Sequence, residues 1–388
     1  MPRINLHVTC ITTSRADYSL QRWPMRGILD AQGMRLSIVA GGGHLAASQG
    51  STLSEIRDDG FVIDESVEMY LDSGSASGPA IGAGLAAIGV AQALERLAPD
   101  WVMLLGDRFE VLGAATAAAL LRIPICHLCG GDITEGAYDD GFRHAISKLS
   151  HLHCVSTAEA ARNLIQMGEE PWRVVQTGSP GLDAIDKVPQ MTRTEVFAAL
   201  ELSADAPTVL VTLHPTTLKD DFGRSELDAL LSAFSARPPL QIVFSGVNAD
   251  AGGSEFNAII QAYARQRQGA VFKQSLGQTL YLNTVRQMQM VIGNSSSGLY
   301  EVPSFSVPTV NIGDRQKGRL RASSVFDCTG TQKAILAAMD AAAAFSETEV
   351  VNPYGSGNSA QQIVAALQSV SGDHSSKQLL TKRFVSLR

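Results

Sequence analysis

One run of motifs occurs twice along this chain in the same order. The segment Val102–Leu105 leads into Gly106-Asp107-Arg108, an Ala-rich helical stretch, a strand around Arg122-Ile123-Pro124-Ile125, and then Gly130-Gly131-Asp132. Later, Met290–Ile292 leads into Gly293-Asn294, a short helical stretch over Ser295–Tyr300, a strand over Ser306–Thr309, and Gly313-Asp314-Arg315. The opening strands match too. Ile4–Thr12 ends in the polar loop Thr13-Ser14-Arg15-Ala16-Asp17-Tyr18, and Thr208–Leu213 ends at His214-Pro215-Thr216-Thr217. Strands alternating with helices predict parallel, doubly wound sheets, and the duplication predicts an α/β chain of two Rossmann-like lobes with a ligand in the interlobe cleft, at the strand carboxyl ends.

A length of 388 residues fits that division, because one hydrophobic core seldom serves so long a chain. Pro180, Gly181 and Pro189 break the pattern, so the lobes are expected at 1–185 and 186–365. A helix and tail over 366–388 would pack back on the first lobe, with a polar, mobile end from Ser371.

Charge narrows the ligand. A net charge of −7 provides no general field for nucleic acid or an anionic membrane, so an anionic ligand must be gripped locally. The polar N-terminus and the lack of an apolar run of membrane length point to the cytoplasm. Five scattered cysteines argue against a disulfide framework. Cys126 and Cys129, placed in one strand, would face opposite ways, so no metal site is expected.

Neither a P-loop nor a complete G-x-G-x-x-G is present, which removes the main support for kinase and dehydrogenase readings. The turn Gly293-Asn294-Ser295-Ser296-Ser297-Gly298 offers backbone N–H groups and hydroxyls that suit a pyrophosphate. Glu301, taken as two turns into the following helix, suits the two hydroxyls of a ribose. Arg315, Gln316 and Arg319 lie in a basic loop beyond. In the first half, Asp107 and Arg108 sit at a strand end, and Asp132, Glu135, Asp139, Asp140, Arg143 and His144 cluster after the next strand. Crowded carboxylates shift one another's pKa values, which is how one residue type supplies both an acid and a base. His214, at a strand end, suits a phosphate contact or proton transfer. His127, His151 and His153 lie in apolar segments and read as core or supporting residues.

These motifs, with Arg143-His144-Ala145-Ile146 and Asn352-Pro353-Tyr354-Gly355, resemble the hydrolysing UDP-N-acetylglucosamine 2-epimerases of sialic acid biosynthesis over nearly the whole chain. The resemblance implies a glycosyltransferase-B-like fold and no cofactor. It implies that Arg15, Arg108, Ser295, Ser296, Glu301 and Arg319 hold UDP, with Asp17, Ser297, Arg315 and Gln316 completing the binding set. Asp107, Asp132, Asp139 and His214 would surround the sugar. The family's usual Gly-Gly-Glu turn is Gly-Gly-Asp here, and Cys129 stands where relatives often carry His or Glu. The implied reaction converts the UDP-linked sugar and water to N-acetylmannosamine and UDP, by anti elimination to a 2-acetamidoglucal and syn hydration. A UDP-linked 2,4-diacetamido-2,4,6-trideoxy sugar, on the way to legionaminic acid, is the alternative substrate. A glycosyltransferase and a catalytically dead sensor are alternatives of other classes. Relatives suggest a homo-oligomer, dimer or tetramer.

Overall fold

The computed structural model describes residues 6–46, 52–71, 77–134, 139–216, 219–237, 240–247 and 253–386. Its contacts divide the chain into two compact units. One comprises Met1–Ile133, Ala137–Asp183 and Tyr354–Arg388, and the other Thr134–Gly136 and Ala184–Pro353.

The first unit is built on β1 (Leu6–Thr12), β2 (Met34–Gly41), β3 (Glu65–Val67), β4 (Trp101–Leu105), β5 (Ile125–Leu128), β6 (Leu152–Val155) and β7 (Val174–Gln176). They form one sheet in the order β3-β2-β1-β4-β5-β6-β7, and every recorded pairing is parallel. The second unit has β8 (Thr208–Thr212), β9 (Gln241–Ser245), β10 (Ala270–Lys273), β11 (Met290–Gly293), β12 (Thr309–Ile312) and β13 (Val325–Cys328). Their order is β10-β9-β8-β11-β12-β13, again parallel throughout. Counted from its own first strand, each sheet begins 3-2-1-4-5-6. The repeated motifs are therefore a repeated topology.

Central strands such as β1 and β4 are buried along their whole length. They read as continuous apolar runs because helices cover both sheet faces. In the first unit, one core gathers Met25, Ile28, Trp101 and Ile363. The other gathers Ile11, Leu94, Val102 and Ala114. The second unit is likewise double-sided, with Leu227, Phe234 and Ile335 in one core and Phe197, Val285 and Val302 in the other.

Two expected strands move. Both begin after their proline rather than around it: β5 starts at Ile125 and β12 at Thr309. Pro124 and Pro308 have no N–H to give a ladder, and each contributes only its carbonyl, to Val102 N (2.9 Å) and Val291 N (2.9 Å). Cys129 falls beyond β5 in a left-handed conformation (φ 60°), and the thiol of Cys126 instead lies 3.8 Å from that of Cys154.

The chain returns to the first unit at Tyr354, not at residue 366. Ser179 N donates to Tyr354 O, and the Asp183 carboxylate accepts from Ser359 N (2.8 Å) and Ala360 N (2.7 Å) at the start of helix Ser359–Asp373. The tail beyond Ser371 is held as well. Buried Arg173 donates to the carbonyls of Gln378, Leu379 and Thr381, and Lys382 pairs with buried Glu169 (2.8 Å). Contrary to the expectation that no apolar run reaches membrane length, helix Gly78–Leu97 is long and apolar enough to cross a membrane by length and composition. Its Gly82, Ala86, Val90, Ala93 and Leu94 are buried within the unit.

Candidate functional site

In a doubly wound sheet, ligands gather where chain order reverses, beyond the strand carboxyl ends. In the first unit that point lies between β1 and β4, and in the second between β8 and β11. Thr13–Asp17 follow β1 and Gly106-Asp107-Arg108 follow β4, while His214 stands just past β8 and Asn294 follows β11. Most of the residues singled out from sequence occupy these two places.

In the first unit, Ser14 caps helix Arg15–Asp30 by accepting from Asp17 N, which leaves Arg15 exposed at the first helical position. Asp17 is buried and accepts from Thr13 Oγ1 (2.5 Å). Arg108 precedes helix Phe109–Leu120 and forks onto the fully buried Glu110, through Nη2 (2.8 Å) and Nε (3.2 Å). Burial opposes the Arg108 charge, yet Glu110, Asp17 and Asp139 outweigh it and raise its pKa, so the guanidinium stays charged. Glu110 is raised by its own burial, against the pull of Arg108.

Arg143, on helix Asp139–Leu149, forms an ion pair with Asp107 and donates to the backbone carbonyl of Asp132 (3.0 Å). The Asp132 carboxylate accepts from Ser156 Oγ (2.8 Å). One buried guanidinium thus ties two of the expected acid–base residues together. Asp139 lies in the first turn of that helix, and Asp140 reaches His144 one turn on (3.3 Å). Glu135 lies outside the described residues.

In the second unit, the buried Asn294 reciprocates with the backbone of His214. Its Oδ1 accepts from His214 N (2.7 Å), and its Nδ2 donates to His214 O (2.8 Å). The Asn294 carbonyl also accepts from Arg315 Nη1 (3.1 Å) and Gln316 Nε2 (2.8 Å), and Gln316 Oε1 accepts from Arg319 (2.7 Å). Gly293 makes this approach possible: at φ 142°, a Cβ there would fall 1.9 Å from Thr212 O. Burial, helped by the nearby Arg315 charge, pushes the His214 pKa down to about 3, so the ring is neutral. Its Nδ1 is buried and has no hydrogen-bond partner among the described residues.

Ser295 Oγ accepts from Ser297 N (3.4 Å), and Ser297 Oγ meets Tyr281 OH (2.6 Å). The helix after this turn is a single turn, Ser297–Tyr300, so Glu301 stands at its end rather than two turns in. Pro303 follows closely, and the chain tightens into the 3-10 turn Val302–Phe305. Burial raises the Glu301 pKa against opposing contributions from Ser297 and Arg319. The Arg319 guanidinium lies over the Tyr300 ring, 5.5 Å from its centroid.

Each unit therefore assembles its own polar cluster: Asp17, Asp107, Arg108, Asp132 and Asp139 in the first, His214, Ser295, Ser296, Ser297, Glu301, Arg315, Gln316 and Arg319 in the second. Arg15 stands at the margin of the first. Sequence reasoning met Arg143, Glu110 and Asn294 within motifs but gave none of them a role of its own, and it did not name Tyr281. Arg143 could be seen only as one member of a charged run, and Tyr281 carries no local signal at all.

Residues 28–368 match the sequence family described as UDP-N-acetylglucosamine 2-epimerase. The chain is 36% identical over 321 residues to GDP/UDP-N,N'-diacetylbacillosamine 2-epimerase (hydrolyzing) of Campylobacter jejuni, covering 82% of this chain and 83% of that protein. It is 34% identical over 360 residues to UDP-N,N'-diacetylbacillosamine 2-epimerase (hydrolyzing) of Legionella pneumophila, covering 93% and 95%. Its fold is glycosyltransferase-B-like and superposes on the crystal structure of UDP-GlcNAc 2-epimerase from Neisseria meningitidis bound to UDP-GlcNAc. That match has a TM-score of 0.82 at 17% identity, over 94% of this chain and all of the other.

Proposed function

We propose, from the premise that this chain belongs to the UDP-N-acetylglucosamine 2-epimerase family, that it is a hydrolysing 2-epimerase of a UDP-linked 2,4-diacetamido-2,4,6-trideoxy sugar. The observation that carries this choice is the likeness to two relatives named for N,N'-diacetylbacillosamine, a sugar of that structure, at 36% and 34% identity over most of both chains. The family description favours a second reading, in which the donor is UDP-N-acetylglucosamine itself. Either product, a free 2-acetamido sugar inverted at C2, suits a nonulosonic acid precursor.

In this reading a carboxylate, Asp107 or Asp132, takes the C2 proton. The C1–O bond breaks with its electron pair leaving on the diphosphate of UDP, and a 2-acetamidoglucal remains. Water then adds its oxygen to C1 and a proton to C2 on the same face of the glucal, the face opposite to the one the first proton left, giving the inverted free sugar. The C2 proton is weakly acidic, so the barrier falls mainly through stabilisation of the departing diphosphate. Arg15 and Arg108 supply positive charge, and the neutral His214 supplies a hydrogen bond. The turn Ser295–Ser297, with Arg315, Gln316 and Arg319, holds phosphate, and Glu301 holds the ribose. No step needs a cofactor.

Proton NMR in D2O, with each of the two UDP-sugars offered separately, tests the proposal. Free C2-inverted diacetamido sugar bearing deuterium at C2, together with UDP, is expected. Turnover of UDP-N-acetylglucosamine alone would replace the substrate with the second reading. UDP release with C2 still protonated, or no turnover of either donor, would overturn the epimerase assignment.

A further inference from the structure

The histidine of the Cys126-His127-Leu128 strand finds no place in the reaction above, yet it is fully buried at the end of β5, beside the first unit's switch point. Its Nε2 lies 2.8 Å from the carbonyl of Gly106, and its Nδ1 lies 3.1 Å from Ser147 Oγ. A carbonyl only accepts, so Nε2 carries the proton; Nδ1 then accepts, and Ser147 must donate. Burial drives the ring pKa down to about 3, so this neutral tautomer persists through the physiological range.

Ser147 and Arg143 are one turn apart on helix Asp139–Leu149 and share a face. Arg143 grips Asp107, and Asp107 follows Gly106 directly. The contacts therefore close a ring: Gly106 carbonyl, His127, Ser147, one helical turn, Arg143, Asp107, and back through a single peptide bond. Gly130 leaves room for it, because a Cβ there would fall 2.8 Å from both His127 Nδ1 and Ser147 Oγ.

We propose that His127 is a positioning residue for the epimerase reaction, fixing the Asp107 carboxylate through the Gly106 carbonyl on one side and the Ser147–Arg143 helix face on the other. This rests on the function proposed above, taken with Asp107 rather than Asp132 as the carboxylate at C2. A carboxylate that must meet one C–H bond gains from being tied at both its backbone and its charged partner, since misplacement by about 1 Å costs about a hundredfold in rate. Arg108 is held separately, by Glu110, so the ring bears on the chemical step and not on grip of the nucleotide.

Three variants of the full chain test this: His127→Phe, Ser147→Ala and Gly130→Ala, with His127→Gln as the conservative control that can still donate towards Gly106. The donor is whichever UDP-sugar the wild type turns over. The expected result is a fall in kcat of about ten- to hundredfold for the first three, with KM and the UDP dissociation constant nearly unchanged, and partial recovery in His127→Gln. Nitrogen-15 NMR of the wild-type imidazole is expected to show one Nε2–H tautomer that does not titrate between pH 5 and 9. Wild-type kcat in a folded Ser147→Ala or Gly130→Ala variant would overturn the proposal, as would losses of kcat and UDP affinity in equal proportion. A wild type inert towards both UDP-sugars is a different failure: it removes the epimerase reading, while the NMR tautomer still reports whether the ring exists.

Discussion

Asp107 illustrates how a single side chain acquires a role from its neighbours. Alone it is one acidic residue after a strand; with Arg143 against its carboxylate and Gly106 held from behind, it becomes a fixed, charged group at a switch point. Asp107→Asn keeps the shape and removes the base, so kcat is expected to fall by about 10²–10⁴-fold, the usual worth of a positioned acid or base. UDP binding by calorimetry should change little, and full turnover would remove Asp107 from the chemistry. The identities of Asp107, Asp132, His214 and Ser295–Ser297 as strand-end groups could be read from the chain, because strand ends follow from local pattern. Arg143 as the partner of Asp107, and Asn294 as the clamp on His214, could not. Those pairings span 36 and 80 residues of chain and exist only once the strands are side by side.

Among the elements, helix Ser359–Asp373 shows a connection that no local pattern discloses. It starts without a side-chain cap of its own from Asn358, and two of the orphan N–H groups of its first turn are taken by Asp183, from far earlier in the chain. Removing that carboxylate leaves two buried donors without an acceptor. Asp183→Ala is therefore expected to cost at least about 1–2 kcal/mol, or roughly 2–8 °C in the melting temperature of a unit this size. Hydrogen exchange should locate the loss at residues 359–373. Unchanged protection there would show that packing against helix Arg15–Asp30 suffices without the cap. Helix lengths were less legible than helix positions. The stretch after Ser296 was expected to carry Glu301 on a second turn, but it stops at Tyr300 and the chain tightens through Pro303.

For the molecule as a whole, buried histidines set the response to acid. His44 and His151 are pushed down to about 4, and His127 and His214 to about 3, in each case chiefly by burial. Unfolded, each ring would titrate near 6.5, so below that pH the unfolded chain binds more protons than the folded one and stability falls. The contribution is complete above pH 7 and is lost as pH drops from about 6.5 towards 3, by about 2 kcal/mol per ring between pH 7 and 5. Melting temperature should fall steeply over that interval, and a flat profile from pH 8 to 5 would contradict these neutral, buried rings. By itself, the sequence determined the two parallel-sheet halves, the family and the polar groups at the strand ends, because period, turn residues and motif order are local properties that repeat visibly. Only the tertiary structure decided which charges pair, that Tyr354 rather than residue 366 returns the chain to the first unit, and that His127 bridges a strand end to a helix face. Each of these depends on which distant segments the sheet brings within hydrogen-bond reach, and the order of residues along the chain does not encode that distance locally.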